Sequence, residues 1–139
     1  MKPNEIGAVS RAVNILLVDD DPQIRKLLTN LLKLDGNFHV MTATSGEEAQ
    51  DLSRNHSEKI DILITDFEMG SINGIELYRH IRDQRPETAV LFISASADRV
   101  RELLPECPVL QKPFSPRQFR ARVAELLSTS TPVRTAGSR

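Results

Sequence analysis

The chain has 139 residues, of which 40% are hydrophobic and 27% charged, the make-up of one globular domain with enough chain for a proper core. Its formal net charge of −1 argues against bulk electrostatic attraction to nucleic acid or to an anionic membrane. A single cysteine, Cys107, excludes an internal disulfide framework and reads as a small apolar filler beside a strand, while no apolar stretch nears the roughly 20 residues of a membrane span.

Residues 1–13 mix polar and small types and read as a loose lead-in, with no apolar core of a secretory signal. Ile15 to Val18 is a continuous apolar run, the mark of a strand covered on both faces. Asp21-Pro22 then reads as a helix cap followed by proline at the first helical position. Ile24, Leu27, Leu28, Leu31 and Leu32 give that helix one apolar stripe, and Gly36 is its expected stop. Phe38 to Ala43 is a second strand, less uniformly apolar and so nearer an edge. Ser45-Gly46-Glu47-Glu48 has the spacing of a capping box for a helix carrying Ala49 and Leu52.

Ile60 to Thr65 is the third strand, and Asn73-Gly74 opens a helix with Ile75, Leu77, Tyr78 and Ile81 that ends before Pro86. Ala89 to Ile93 is a fourth buried strand, followed by a short helix near Ala97 to Leu104 and a fifth strand around Val109 and Leu110. Ser115-Pro116 starts a last helix with Phe119, Val123, Leu126 and Leu127 inward. Residues 129–139 are Ser/Thr/Pro/Gly-rich and read as a disordered tail, which leaves 14–128 as the folded domain. Five strands alternating with five helices imply an α/β fold, a doubly wound parallel sheet.

Three of the apolar runs stop at groups that phosphoryl chemistry uses. The first ends in Asp19-Asp20-Asp21, the third in Asp66, and the fifth leads into Lys112-Pro113. Ligands of doubly wound sheets bind outside the carboxyl ends of the strands, which is where Asp19, Asp20, Asp66, Ser94 and Lys112 fall. Clustered carboxylates repel one another, so such a crevice calls for a divalent cation. Asp21 is assigned to the helix cap. His39, His56 and His80 are scattered without metal spacing and read as surface or part-buried residues.

With Val18-Asp19-Asp20, Asp66 and Met69, Asn73-Gly74, Ser94-Ala95 and Lys112-Pro113-Phe114 in this order, the chain resembles a response-regulator receiver domain of two-component signalling over about residues 13–128. The resemblance implies a CheY-like, flavodoxin-like sheet of order 2-1-3-4-5. It also implies that Asp66 is the nucleophile, taking a phosphoryl group from a phosphohistidine. Asp20, Asp66 and the backbone carbonyl of Glu68 would hold Mg²⁺, with Asp19 acting through water. Lys112 would neutralise one phosphoryl oxygen, the Ser94 hydroxyl would hydrogen-bond another, and the Lys112-Pro113 bond would be cis.

The implied protein is a cytoplasmic single-domain response regulator, a phosphoacceptor signalling domain that assists its own phosphorylation and dephosphorylation rather than an enzyme with a separate substrate. Its implied partners are a sensor histidine kinase or histidine phosphotransfer protein and a downstream protein target. A homodimer is possible, and direct contact with nucleic acid or membrane is not expected. The alternative is a pseudo-receiver that binds a partner without phosphorylation. An aspartate-nucleophile phosphatase is a weaker rival, since Pro22-Gln23 lacks the hydroxyl residue such enzymes carry two positions after their second aspartate.

The chain also departs from the family pattern. Gly70 stands where proline usually follows the methionine, and Val109 stands where an aromatic usually swings inward as the hydroxyl residue moves. The interval from Ser94 to Lys112 is short, a style that resembles receivers working with hybrid sensor kinases. Glu68 and Ser96 flank the expected path of hydrolytic water, and Glu68 is expected to influence aspartyl-phosphate lifetime. Arg117, Arg120 and Arg122 read as a solvated helix face, with a docking face as the other reading.

Overall fold

Ile15, Leu16, Leu17 and Val18 lose essentially all contact with solvent, because the strand they form lies inside the sheet and is covered on both faces. The computed structural model describes residues 12–70 and 72–130. In chain order the elements are β1 (Val13–Val18), α1 (Pro22–Leu34), β2 (Phe38–Ala43), α2 (Gly46–Asn55), β3 (Ile62–Asp66), α3 (Gly74–Gln84), β4 (Ala89–Ser94), α4 (Ala97–Leu103), β5 (Val109–Gln111) and α5 (Pro116–Ser130). The strands form one parallel sheet in the order β2-β1-β3-β4-β5.

Two apolar layers flank the sheet. Leu16, Val18, Leu63, Phe92 and Val109 face α2, α3 and α4, where they meet Ala49, Leu77, Ile81 and Val100. Ile15, Leu17, Ile62, Ile64 and Ile93 face α1 and α5, where they meet Leu28, Leu32, Phe119 and Val123. The period of two along each strand therefore serves both layers at once. Phe92 lies at the centre of the first layer, its ring edge-on to both Phe67 (5.5 Å between centroids) and Tyr78 (5.9 Å).

The helix starts follow local chemistry. Asp21 accepts a hydrogen bond from the Gln23 amide, and Pro22 takes the first helical position of α1. Asn73 and Glu76 form a reciprocal capping box at α3, as do Ser115 and Gln118 at α5. At α2 only half of the expected box is made. Ser45 accepts from the Glu48 amide, but the Glu48 carboxylate reaches one residue further back, to the amide and hydroxyl of Thr44. Gly36 follows α1 with φ at 138°, a region open to glycine. Arg85, just past α3, donates to the carbonyls of Ser53, His56 and Glu58 and so closes the turn that leads into β3.

Some boundaries differ from the sequence expectation. β3 begins at Ile62 and includes Asp66, because its ladder with β4 runs on through Asp66 opposite Ile93, while the Asp61 carboxylate ahead of it accepts from the Asn14 amide at 2.8 Å. β1 starts at Val13, within the expected lead-in, and α5 continues to Ser130, into the expected tail, while the rest of both terminal assignments lies outside the described residues. Leu27, expected on the apolar stripe of α1, is 45% exposed. Leu28, Leu31 and Leu32 cluster about one direction, and Leu27 sits nearly a quarter-turn from their centre. Val109 is fully inside, with 3% exposure.

Replacing Phe92 with alanine removes the ring that two aromatic neighbours pack against. Phe92→Ala is expected to lower stability by about 3–5 kcal/mol in urea unfolding followed by circular dichroism, and a loss below about 1 kcal/mol would contradict this packing.

Candidate functional site

The parallel register carries the chemistry to one edge of the sheet. Val18 pairs with Thr65, Asp66 with Ile93, and Ser94 with Gln111. Asp19, Asp66, Ser94 and Lys112 therefore all leave at or just past their strands' carboxyl ends. The ladder extends past the strands, with the amide of Asp19 donating to Ala43, that of Phe67 to Ile93, and that of Lys112 to Ser94. The Lys112-Pro113 peptide is cis, as the resemblance implied.

Carboxylate oxygens of Asp19, Asp20 and Asp66 all lie within 4.8 Å of one another. Asp19 and Asp66 are buried, and Asp20 is exposed at the rim. One oxygen of Asp19 accepts from the amide of Asp21 at 2.9 Å, and the backbone carbonyl of Asp19 accepts from Arg25 at 2.7 Å. Lys112 Nζ approaches Asp66 Oδ2 at 3.4 Å. The remaining oxygens, Asp19 Oδ2 and Asp66 Oδ1, are buried without a hydrogen-bond partner.

Two orphaned carboxylate oxygens in one crevice are electrostatically costly. Burial pushes the Asp66 carboxyl up from 3.8 to about 6, opposed by Lys112 and reinforced by Asp19 and Glu68. Burial also raises Asp19, against the Asp21 amide and Lys112. An all-oxygen donor set with unpartnered buried atoms fits a hard divalent cation such as Mg²⁺.

Ser94 stands beside this crevice, but its hydroxyl is already engaged. Ser94 Oγ donates to Glu68 Oε2 at 2.7 Å and accepts from the Ser96 amide at 2.8 Å. Glu68 follows the end of β3, on a loop held close to α3 where the Gly74 amide donates to the Phe67 carbonyl at 3.0 Å. A side chain at Gly74 would bring its Cβ to 2.9 Å from Phe67 Cα, so this approach requires glycine.

Sequence reasoning missed one polar residue beside the site. The Gln111 side chain donates to the carbonyls of Ala95 and Lys112, each at 2.7 Å, and accepts from the Ala97 amide at 3.0 Å. It thereby fastens the loop after Ser94 to the strand that carries Lys112. The only sequence signal was a glutamine one residue before the lysine, which by itself points nowhere.

The three arginines of α5 divide. Arg120 grips the Asp35 carboxylate just past the end of α1 through both Nε and Nη2, Arg122 donates to the Val109 carbonyl at 3.2 Å, and Arg117 is exposed. The solvated-face reading thus holds for Arg117 and for Arg120, which is exposed while gripping Asp35, whereas Arg122 is half-buried against the Val109 carbonyl. His39 is exposed and His56 and His80 are half-buried, and the grouping of potential metal ligands among the described residues is the aspartate trio alone.

Between pH 3.8 and about 6 the folded chain holds more protons at Asp66 than the unfolded chain, so this group's contribution to stability falls as pH rises. Asp66→Asn is therefore expected to stabilise the metal-free protein by about 1–2 kcal/mol above pH 6, with the gain vanishing toward pH 4. Added Mg²⁺ should raise the melting temperature of the parent chain more than that of the variant. Thermal unfolding across pH, with and without the metal, measures both, and a variant less stable than its parent at pH 7 would contradict the electrostatic account.

Comparison with known proteins agrees with this geometry. The family model described as the response regulator receiver domain matches residues 15–124. The transcriptional regulatory protein CpxR of Escherichia coli K12 is 39% identical over 120 residues, which cover 84% of this chain and 50% of CpxR. The chain thus spans about half the length of the curated relatives it matches. A response regulator receiver domain protein from Clostridium thermocellum superposes with a TM-score of 0.75 at 26% identity, covering 84% of this chain and 95% of that one. The receiver domain of the hybrid histidine kinase CckA gives a TM-score of 0.71 at 30% identity, covering 82% and 98%. Among the described residues, no helix is long and apolar enough to cross a membrane. With the five-strand order, the aspartate trio and the lysine at the neighbouring strand end, the chain belongs to the response regulator receiver domain family and carries a receiver domain of two-component signalling.

Proposed function

We propose that Asp66 accepts a phosphoryl group from a phosphohistidine of a sensor kinase or histidine phosphotransfer protein, and that the modified domain signals by protein contact. The observation that carries this reading is the Asp66 carboxylate, buried at the end of β3 with Oδ1 unpartnered and Oδ2 facing Lys112 at 3.4 Å. A carboxylate oxygen of Asp66 forms the new O–P bond while the P–N bond of the donor breaks, and the departing imidazole takes a proton from solvent. Asp20, Asp66 and the Glu68 backbone carbonyl would hold Mg²⁺, with Asp19 acting through water, and the ion would supply charge to offset that of the acceptor and the incoming group. Lys112 stands where it can bind one phosphoryl oxygen, and Ser94, once turned from Glu68, can donate to another.

Several features support this assignment. Receiver domains in general bind Mg²⁺ at an acidic pocket, and three aspartates form one here. The similar CckA domain belongs to a protein named as a hybrid histidine kinase, and CpxR is named as a transcriptional regulatory protein. A formal net charge of −1 supports output from this domain through protein contact.

Incubation of the full chain with acetyl phosphate and Mg²⁺, followed by intact mass measurement, tests the reading. The parent chain is expected to gain one phosphoryl group, Asp66→Ala none, and Lys112→Ala far less at equal times. A parent chain that gains nothing and is also silent toward beryllofluoride would instead favour a binding module that works without phosphorylation.

A further inference from the structure

The Ser94 hydroxyl, beside the crevice, donates to the Glu68 carboxylate rather than to Asp66. We propose that Glu68 is a positioning residue that latches Ser94: its carboxylate holds the hydroxyl away from Asp66, and an anion arriving at Asp66 must break that bond before Ser94 can bind it. The proposal rests on the phosphoacceptor reading of Asp66 and adds a residue that sets how readily the site closes on its phosphoryl group.

Ser94 is completely buried, so a released hydroxyl has little water to turn to, and its partner must be protein or ligand. Ser94 Oγ to Glu68 Oε2 is 2.7 Å, a short bond to a charged acceptor, and such bonds are about twice as strong as neutral ones. Glu68 itself is exposed and can swing into water once released. The backbone beyond Ser94 is held independently. Gln111 fastens Ala95 and Ala97, and the Ser94 carbonyl accepts from the Lys112 amide at 2.8 Å. What is left free to change is the rotation of the Ser94 side chain between Glu68 and the crevice. Both acceptors are anionic, so for the donated hydrogen the switch exchanges one charge-assisted hydrogen bond for another. Turning Oγ also draws it from the Ser96 amide that donates to it at 2.8 Å, and Glu68 and that amide together set the midpoint.

The test is equilibrium binding of beryllofluoride with Mg²⁺ to the full chain and to Glu68→Ala, Glu68→Gln, Ser94→Ala and the Glu68→Ala/Ser94→Ala double variant, with circular dichroism to verify the fold of each. Without the latch, Glu68→Ala should bind about tenfold more tightly, the worth of roughly one charged hydrogen bond. In the Ser94→Ala background the same change should matter by no more than about threefold, the residue of charge repulsion alone. Glu68→Gln keeps an acceptor oxygen but loses the charge, and is expected to fall between the parent and Glu68→Ala. Equal effects of Glu68→Ala with and without the Ser94 hydroxyl would overturn the latch, as would Glu68→Gln matching Glu68→Ala. Both results would leave the phosphoacceptor reading standing, whereas a parent chain that binds no beryllofluoride at all removes that reading and the latch with it.

Discussion

The ladder between β1 and β3 pairs Val18 with Thr65, and one step later both strands present an aspartate. Both strands are buried on both faces, so a shift of one residue would exchange the side chains close-packed into the two helical layers. That constraint locks the register, and the register puts Asp19 beside Asp66. The next ladders add Ser94 beside Gln111 and so bring Lys112 to the same edge. The site is thus a by-product of core packing along four strands. Its precision comes from Ile15, Leu17, Ile62 and Ile64, none of which faces the crevice.

The cost of this arrangement is electrostatic. Close-packed strand ends force carboxylates into a low-dielectric crevice where Lys112 faces them, and Asp19 Oδ2 and Asp66 Oδ1 are left bare. The buried carboxylate of Asp61 makes the contrast. At the opposite edge of the sheet it accepts the Asn14 amide and lies 3.8 Å from Lys59, so it is a satisfied structural group. Local partners, rather than burial, separate the satisfied Asp61 from the bare Asp66.

The surface that would report the state of the crevice is built differently from the family pattern. Val109 is packed into the aliphatic and aromatic layer with Phe92 and Val100, and its short branched side chain has no rotation comparable to an aromatic ring's. The contacts that do join the Ser94 loop to its surroundings are polar: Glu68 on one side, Gln111 on the other. Gln111 also supplies an acceptor to the first amide of α4, which Ser96 leaves uncapped with its own side chain. A change at Ser94 therefore adjoins a helix whose start depends on side-chain hydrogen bonds from β5.

Much of this was legible in the chain itself, because short-range rules govern it. Continuous apolar runs marked the strands, Asp21-Pro22, Asn73-Gly74 and Ser115-Pro116 marked helix starts, and carboxylates at run ends marked the crevice. Local chemistry also limited that reading. Glu48 chose Thr44 over Ser45, Leu27 fell outside its stripe, and β3 ended on Asp66 rather than before it, since each outcome depends on neighbours distant in sequence or on a fraction of a helical turn. What only the tertiary structure decided is which hydrogen bonds the site residues make. Glu68 and Ser94 are 26 positions apart and Gln111 and Ala95 are 16 apart, and no residue type or spacing announces either pair. The sequence determined which groups reach the crevice, because strand burial is a local property. Their partners in it were decided by the folded packing, because a hydrogen bond needs donor and acceptor within about 3 Å and only the assembled sheet brings them there.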